Sequence, residues 1–106
     1  MGLFSALFGH TDNKQLDAAL SPDALLVDVR TASEFAQGSV KGAVNIPLDE
    51  IPAELSRFKN KKQIVVFCRS GNRSSRAKIL LEKSGFRHVI NGGTWQNVHR
   101  LVSRQK

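Results

Sequence analysis

Residues 67–75, Phe-Cys-Arg-Ser-Gly-Asn-Arg-Ser-Ser, place the only cysteine of the chain at the head of a loop rich in arginine, serine and glycine. Cys68 follows an apolar run and precedes a segment typical of a helix. A lone cysteine in such a place can be a small packing group at the end of a strand. It can also be a nucleophile, because a thiolate attacks sulfur, phosphorus or arsenic.

The residues after Cys68 favour the nucleophile. Gly71 and Asn72 tolerate positive φ, so the backbone can curl there and turn successive N–H groups inward. The helix predicted after the loop adds the partial positive charge of its amino end. Arg69 and Arg73 keep their protons at any working pH. Each feature favours the thiolate, and the sequence therefore predicts a pKa for Cys68 below that of a free thiol.

The length of the loop limits which groups Cys68 could bind or attack. Four residues separate Cys68 from Arg73, one fewer than in cysteine-dependent phosphatases, and Ser74 stands where a phosphatase would need arginine. A tighter ring suits a compact group, such as one extra sulfur on Cys68. The absence of a second cysteine counts against a thioredoxin-like or arsenate-reductase cycle without an external thiol. A phosphatase or arsenate reductase is kept as an alternative.

The segments around the loop alternate between short apolar strands and helices. Thr31 is a predicted N-cap, with Glu34 at the capping-box position. Gly85 is predicted to end the helix after the loop, and Thr94 to cap the last helix. The sequence predicts strands over residues 25–29, 43–46, 64–67 and 88–90, helices over residues 12–20, 51–58 and 74–84, and a tight turn over residues 91–93.

This alternation predicts parallel pairing with right-handed crossovers. We expect an α/β fold: a small three-layer domain with a central, mostly parallel sheet of about five strands and helices on both faces. Sites in such sheets lie at the carboxyl ends of the strands, where Cys68 is placed.

Composition sets the broader limits. The length of 106 residues indicates one domain, which we place at residues 12–106 after a tail at residues 1–11. One cysteine excludes an internal disulfide, and a free thiol suits a reducing compartment, the cytoplasm. The apolar residues 1–9 are too short to span a bilayer, and we favour their docking on the domain surface over contact with a membrane.

Charge is distributed unevenly along the chain. Residues 1–58 hold four Lys or Arg and eight Asp or Glu, and residues 59–106 hold twelve and one, so the halves carry −4 and +11 and sum to +7. No basic stripe interleaved with aromatic residues appears, and we expect no nucleic-acid partner. A general attraction for small anions fits the charge better.

The segment from Cys68 to Ser74 resembles the active loop of single-domain rhodaneses, the thiosulfate sulfurtransferases. Matching motifs cover about residues 15–100 in family order: Leu26-Val27-Asp28-Val29-Arg30, Glu34-Phe35, Gly38, Gly42-Ala43, Asn45-Ile46-Pro47 and Gly92-Gly93. Two positions depart from the family. Ser39 stands where the family often has histidine, and the usual tryptophan is displaced to Trp95, with Asn97 near its usual place.

The resemblance implies a rhodanese-like fold and a two-step exchange through a persulfide on Cys68, with ping-pong kinetics and no metal or organic cofactor. The donor would be a small anionic sulfur compound, thiosulfate. The acceptor would be cyanide in the test tube and, in the cell, a small thiol or a thioredoxin-like protein. A persulfide carrier or regulatory module with little thiosulfate turnover is the alternative from another class. The implied binding loop consists of Arg69, Ser70, Gly71, Asn72, Arg73 and Ser74.

Several side chains receive supporting roles. Arg69 either projects outward to attract the dianionic donor or is an ordinary surface arginine. Arg73 is expected to brace the loop against an acid such as Asp28 or Glu34, and Asp28 and Arg30 to form a structural ion pair. The hydroxyls of Ser70 and Ser74 either reach the persulfide or serve loop folding and helix capping.

Overall fold

A computed structural model of the protein describes residues 13–105, and the tail proposed for residues 1–11 lies outside them. Within this range the strands form one parallel sheet with the order β2-β1-β3-β4. The α/β architecture is confirmed, with four strands where about five were expected. The strands are β1 (Leu25–Asp28), β2 (Val44–Asn45), β3 (Ile64–Cys68) and β4 (Val89–Thr94).

Helices cover both faces of the sheet. The short helix predicted over residues 51–58 is instead two 3₁₀-helices, Leu48–Ala53 and Leu55–Phe58. Pro52 lies inside the first one, and in a regular α-helix its ring would clash with the carbonyl of residue 48. The α-helices are α1 (Asn13–Ala19), α2 (Ala32–Ala36), α3 (Asn72–Lys83) and α4 (Trp95–Arg104).

Strand β3 is the centre of the core and is buried along its whole length. On one face of the sheet, Val66 and Cys68 pack in a cluster with the buried side of α3. On the opposite face, Val65 and Phe67 pack with α1 and α4. Continuous apolar sequence is what a strand covered on both faces requires. The core therefore holds the carboxyl end of β3, and with it Cys68, in one position.

Helix α3 begins two residues earlier than the sequence predicts. Its N-cap is Gly71, with a φ of 91° in the left-handed region, and Asn72 is already helical. Glycine adopts this backbone without strain. Ser74 is therefore buried inside the first turn, and of the roles that the sequence left open for it, helix capping is excluded. The other end is confirmed, because Gly85 follows the helix with a φ of 99°.

Strand β4 runs through Asn91, Gly92 and Gly93, so the prediction of a tight turn there is wrong. The register of β4 on β3 shifts by one residue at this point. A Cβ built on Gly92 would lie 2.6 Å from Cγ2 of Val98 in α4 and 3.2 Å from Cγ1 of Val65. The glycine serves the close approach of α4 to the sheet rather than a change in chain direction.

Helix α2 begins with the predicted capping box, and its Glu34 side chain pairs with Arg73 in the first turn of α3. The Thr31 hydroxyl accepts from the Glu34 N–H at 3.2 Å, and the Glu34 carboxylate accepts from the Thr31 N–H at 2.9 Å. The same carboxylate accepts two bonds from the Arg73 guanidinium, at 2.7 and 3.0 Å. The Arg73 guanidinium, and then the Thr31 N–H, lower the pKa of Glu34 from 4.5 to about 2.

We expect Gly92→Ala to destabilise the fold by about 1–3 kcal/mol, because the added methyl group overlaps Val98. Urea unfolding measures this free energy. The cost should shrink when Gly92→Ala is made in a Val98→Ala background, where the overlapping atom is absent. Equal costs in both backgrounds would show that the close approach of α4 is not the reason for glycine.

We expect Glu34→Gln to flatten the acid end of the stability profile. Because the pKa of Glu34 is lowered in the folded chain, the unfolded chain binds more protons between pH 4.5 and about 2. The contribution of Glu34 to stability is therefore complete above pH 4.5 and is lost as the pH falls through about 2. Urea midpoints over this range should fall less steeply in Glu34→Gln than in the wild type. The exposed Glu82 of α3 provides the control Glu82→Gln, and an identical slope in all three proteins would contradict the assignment.

Candidate active site

The side chain of Cys68 is fully buried at the carboxyl end of β3, beneath the first turn of α3. Its Sγ accepts a hydrogen bond from the Gly71 N–H at 3.0 Å and a longer one from the Ser74 N–H at 3.4 Å. The Ser74 hydroxyl oxygen also lies 3.4 Å from Sγ. Backbone dipoles from the loop and from the helix terminus thus converge on one sulfur atom.

The surroundings of Cys68 act on its pKa in opposite directions. Burial raises the pKa, because a thiolate loses its hydration in the protein interior. Hydrogen bonds from the Ser74 hydroxyl and from the N–H groups of Ser74, Ser70 and Gly71 lower it. The hydrogen bonds outweigh burial, and the net shift is downward from 9.0, in the direction that the sequence predicts. The site is therefore built to hold negative charge on sulfur.

The structure assigns the residues of the loop to roles that differ in part from those predicted. Gly71 supplies the left-handed conformation alone, since Asn72 lies at the start of α3 and is exposed. Ser70 is exposed, whereas Ser74 is fully buried next to the sulfur. Arg73 pairs with Glu34, one of the two acids that the sequence offered as its partner. The loop is thereby tied to α2.

Asp28 and Arg30 form a buried ion pair behind the loop. The Asp28 carboxylate is inaccessible to solvent and accepts from Nε of Arg30 at 2.9 Å and from Nη2 at 2.7 Å. Arg30 also donates to the Gly38 carbonyl at 2.6 Å, and its guanidinium lies 5.1 Å from the centre of the Trp95 ring. A buried carboxylate needs this many partners, because an unpaired charge in the interior is costly.

The two positions at which the sequence departs from the family pattern lie around this ion pair. Ser39 donates from its hydroxyl to the second carboxylate oxygen of Asp28 at 2.6 Å. Trp95 stacks on Arg30 from the start of α4. Ser39 thus gives the Asp28 carboxylate a donor in place of the histidine often found there.

A cavity of about 300 Å³ lies beside the loop. Arg69 directly follows Cys68, and Trp95 directly follows Thr94, which pairs with Cys68 in the register of β3 and β4. The cavity thus lies next to residues that flank Cys68 in the chain and in the strand register. It is lined by Arg30, Glu34, Gln37, Gly38, Arg69, Trp95 and Gln96.

The charges of this cavity are mostly compensated. Arg30 is paired with Asp28, and Glu34 with Arg73. Within residues 13–105, Arg69 is exposed and has no ion-pair partner within 4.0 Å. Arg69 is therefore the lining cation whose charge is available to an anion in the cavity.

Sequence reasoning missed Asn91, which was assigned to a turn. In β4 its carboxamide oxygen accepts from the Ser74 hydroxyl at 2.7 Å, and its amide nitrogen donates to the Gly71 carbonyl at 3.3 Å. A polar residue directly after the apolar pair Val89-Ile90 was the available signal. The neighbouring glycines concealed it, because an Asn-Gly-Gly sequence is typical of turns.

Neither a cluster of metal ligands nor a membrane-spanning helix is found in the described part of the chain. Among residues 13–105, no group of three or more His, Cys, Asp and Glu side chains is placed to hold a metal ion. None of the helices in the same range has the length and apolar character needed to cross a bilayer.

Comparison with known proteins gives concordant matches. A family model described as the rhodanese-like domain matches residues 12–96. A sulfurtransferase of Allochromatium vinosum is 38% identical over 82 residues, covering 76% of this chain and 77% of the relative. Thiosulfate sulfurtransferase PspE of Escherichia coli is 34% identical over 74 residues, covering 68% of this chain and 71% of the relative.

Solved structures agree with these sequence matches. A structure described as rhodanese with anions from E. coli aligns with a TM-score of 0.65 at 33% identity, covering 70% of this chain and 89% of that one. The family model spans most of this chain, including the whole of the loop around Cys68. The resemblance indicated by the sequence motifs is confirmed: the chain belongs to the rhodanese-like domain family, together with its sulfurtransferase relatives.

Proposed function

We propose that the protein is a thiosulfate sulfurtransferase that carries the transferred sulfur as a persulfide on Cys68. The observation that carries the proposal is the convergence of the Gly71 and Ser74 N–H groups on the Cys68 sulfur. The relatives named sulfurtransferase support the reaction class.

In the first step, the Cys68 thiolate attacks the outer sulfur of thiosulfate. A new S–S bond forms, the S–S bond of thiosulfate breaks, and sulfite leaves with the bonding electron pair. Cys68 then carries a persulfide whose terminal sulfur is negatively charged. The N–H groups of the loop stabilise this charge, as the donors of an oxyanion hole do.

In the second step, a nucleophilic acceptor attacks the terminal sulfur and releases the Cys68 thiolate. Cyanide takes the sulfur as thiocyanate, and a thiol takes it as a new persulfide. Because the chain has no second cysteine, the acceptor must come from another molecule. The two half-reactions share one covalent intermediate, and ping-pong kinetics follow.

The burial of Cys68 shapes this chemistry. Because Cys68 is buried, the hydrogen bonds to its sulfur act in a lower dielectric than bulk water and are stronger there. The same burial limits what can reach the thiolate, and a donor must present a compact, unhindered sulfur atom. Thiosulfate meets this condition.

The alternatives predict different chemistry at the same residue. A cysteine-dependent phosphatase would need an arginine at the position of Ser74, and this hydroxyl is buried beside the sulfur instead. An arsenate reductase would need an external thiol to resolve its intermediate. A persulfide carrier would accept sulfur as we propose and would turn over thiosulfate slowly.

We expect the reduced protein to gain the mass of one sulfur atom after incubation with thiosulfate, because Cys68 is the only residue able to hold it. Intact-mass spectrometry measures the gain, with Cys68→Ser as the control that gains nothing. Steady formation of thiocyanate on addition of cyanide identifies an enzyme rather than a carrier. No uptake by the wild type, or phosphate release from an aryl phosphate without uptake, would contradict the proposal.

We expect Arg69→Glu to raise the KM for thiosulfate about tenfold, because reversing an exposed charge at the cavity repels the dianion. The KM of the wild type should also rise with salt concentration. Arg76→Glu is the matched control, because Arg76 is exposed on α3 and does not line the cavity. Equal KM values in the wild type and Arg69→Glu would refute this role for Arg69.

A further inference from the structure

The side chain of Asn91 contacts both the loop and the first turn of α3. The mechanism proposed for Cys68 makes no use of it. Its Oδ1 accepts from the Ser74 hydroxyl at 2.7 Å and from the Gly93 N–H at 2.9 Å. Its Nδ2 donates to the Gly71 carbonyl at 3.3 Å. One carboxamide of β4 thus contacts both the loop and the hydroxyl that lies beside the Cys68 sulfur.

These contacts determine which way the carboxamide points. Rotating it by half a turn would bring its NH₂ group against the Gly93 N–H and its oxygen against the Gly71 carbonyl. Both new contacts would join like partners, donor to donor and acceptor to acceptor. Asn91 therefore presents an acceptor to Ser74 whatever the charge of Cys68.

Ser74 has one hydroxyl proton and two neighbours that can accept it. Asn91 Oδ1 lies at 2.7 Å from the hydroxyl oxygen, and Cys68 Sγ at 3.4 Å. When Cys68 is a thiol, its S–H can donate to the Ser74 oxygen while Ser74 donates to Asn91, and every group is satisfied. When Cys68 is a thiolate, both neighbours are acceptors and they compete for the same proton.

We propose that Asn91 is a positioning residue that sets the nucleophilicity of Cys68 by competing with its sulfur for the hydroxyl proton of Ser74. The inference rests on the proposed role of Cys68 as the nucleophile. By competing for the Ser74 proton, Asn91 weakens the hydrogen bond from this hydroxyl to the thiolate and keeps more electron density on the sulfur available for attack.

The competition has a direct chemical consequence. Without the acceptor at residue 91, the Ser74 hydroxyl donates to the thiolate permanently. The thiolate is then more stable and the pKa of Cys68 falls further, because hydrogen bonds to the charged form favour it. The thiolate also becomes less reactive, since the nucleophilicity of thiolates falls with their pKa.

The charged groups near the sulfur stay the same in all variants of the test. Strand β4 contributes none, because its residues are uncharged. The charges near Cys68 come from the end of β1, from α2 and from the loop with the first turn of α3, and they are Asp28, Arg30, Glu34, Arg69 and Arg73.

The experiment measures the pKa and the reactivity of Cys68 in the full chain carrying Asn91→Leu, alone and combined with Ser74→Ala. Thiolate absorbance against pH gives the pKa, and iodoacetamide alkylation above that pKa gives the rate of the fully ionised sulfur. We expect Asn91→Leu to lower the pKa by about half to one unit and to slow the ionised sulfur about two- to threefold.

The Ser74→Ala background separates competition from mere support of the loop. Without the hydroxyl there is no proton to compete for, and Asn91→Leu should then leave the pKa unchanged. An unchanged or raised pKa in the single variant, or the same shift in both backgrounds, would overturn the inference. Asn91→Ala removes the same acceptor without adding bulk and replaces Asn91→Leu if that variant does not fold.

The experiment distinguishes a failure of the inference from a failure of the sulfurtransferase proposal. A protein that takes no sulfur from thiosulfate but shows the expected shift refutes the sulfurtransferase proposal and keeps the inference. A protein that takes up sulfur normally but shows no shift keeps the function and refutes the role of Asn91.

Discussion

The hydrogen bonds from the Gly71 and Ser74 amides to the sulfur of Cys68 are the interaction on which the rest of the site depends. Burial alone would keep this side chain a neutral thiol, because the interior penalises charge. The hydrogen bonds to the sulfur, from the Ser74 hydroxyl and from the loop amides, together lower the pKa of Cys68 against the effect of burial. The amides point at the sulfur only while Gly71 holds its left-handed conformation and α3 starts at the next residue. Several contacts of the surrounding structure hold Gly71 and the first turn of α3 in place.

Compensated charge is the first of these supports. Asp28 is bound by Arg30 and Ser39 behind the loop, and Glu34 binds Arg73 at its outer side. Each pair cancels its own charge, so that neither adds a net charge next to the sulfur. The pKa of Cys68 is then lowered by hydrogen bonds to its sulfur, from the Ser74 hydroxyl and from the loop amides. Among the described residues, Arg69 keeps an exposed charge without an ion-pair partner.

Close packing of β4 is the second support. Gly92 lets Val98 of α4 approach the sheet, and this approach keeps β4 against β3 where Asn91 reaches Ser74. The Asn91–Ser74 contact joins β4 to the helix whose first turn donates to the Cys68 sulfur. The packing of α4 against Gly92 thereby supports the hydrogen bond between Ser74 and Asn91.

Local patterns in the sequence predicted a large part of the fold. The capping box at Thr31, the glycine that ends α3 and the apolar runs of β1 and β3 depend on residues close in sequence, and the structure has each of them. The loop around Cys68 was also recognisable, because its residues are poor core material and follow an apolar strand. Tertiary contacts decided the remainder, since no local pattern encodes them.

Asn91 and Ser74 show this limit most clearly. By sequence alone, Asn91-Gly92-Gly93 favours a turn, and β4 continues through it because the edge of β3 offers hydrogen bonds and α4 needs room above Gly92. Ser74 resembles a helix cap, and only the early start of α3 places its hydroxyl between the Asn91 oxygen and the sulfur. The sequence alone determined where a thiol can react, because thiol chemistry belongs to a residue type and the chain has one cysteine. The tertiary structure decided which distant groups share its proton network, because that depends on the register between strands.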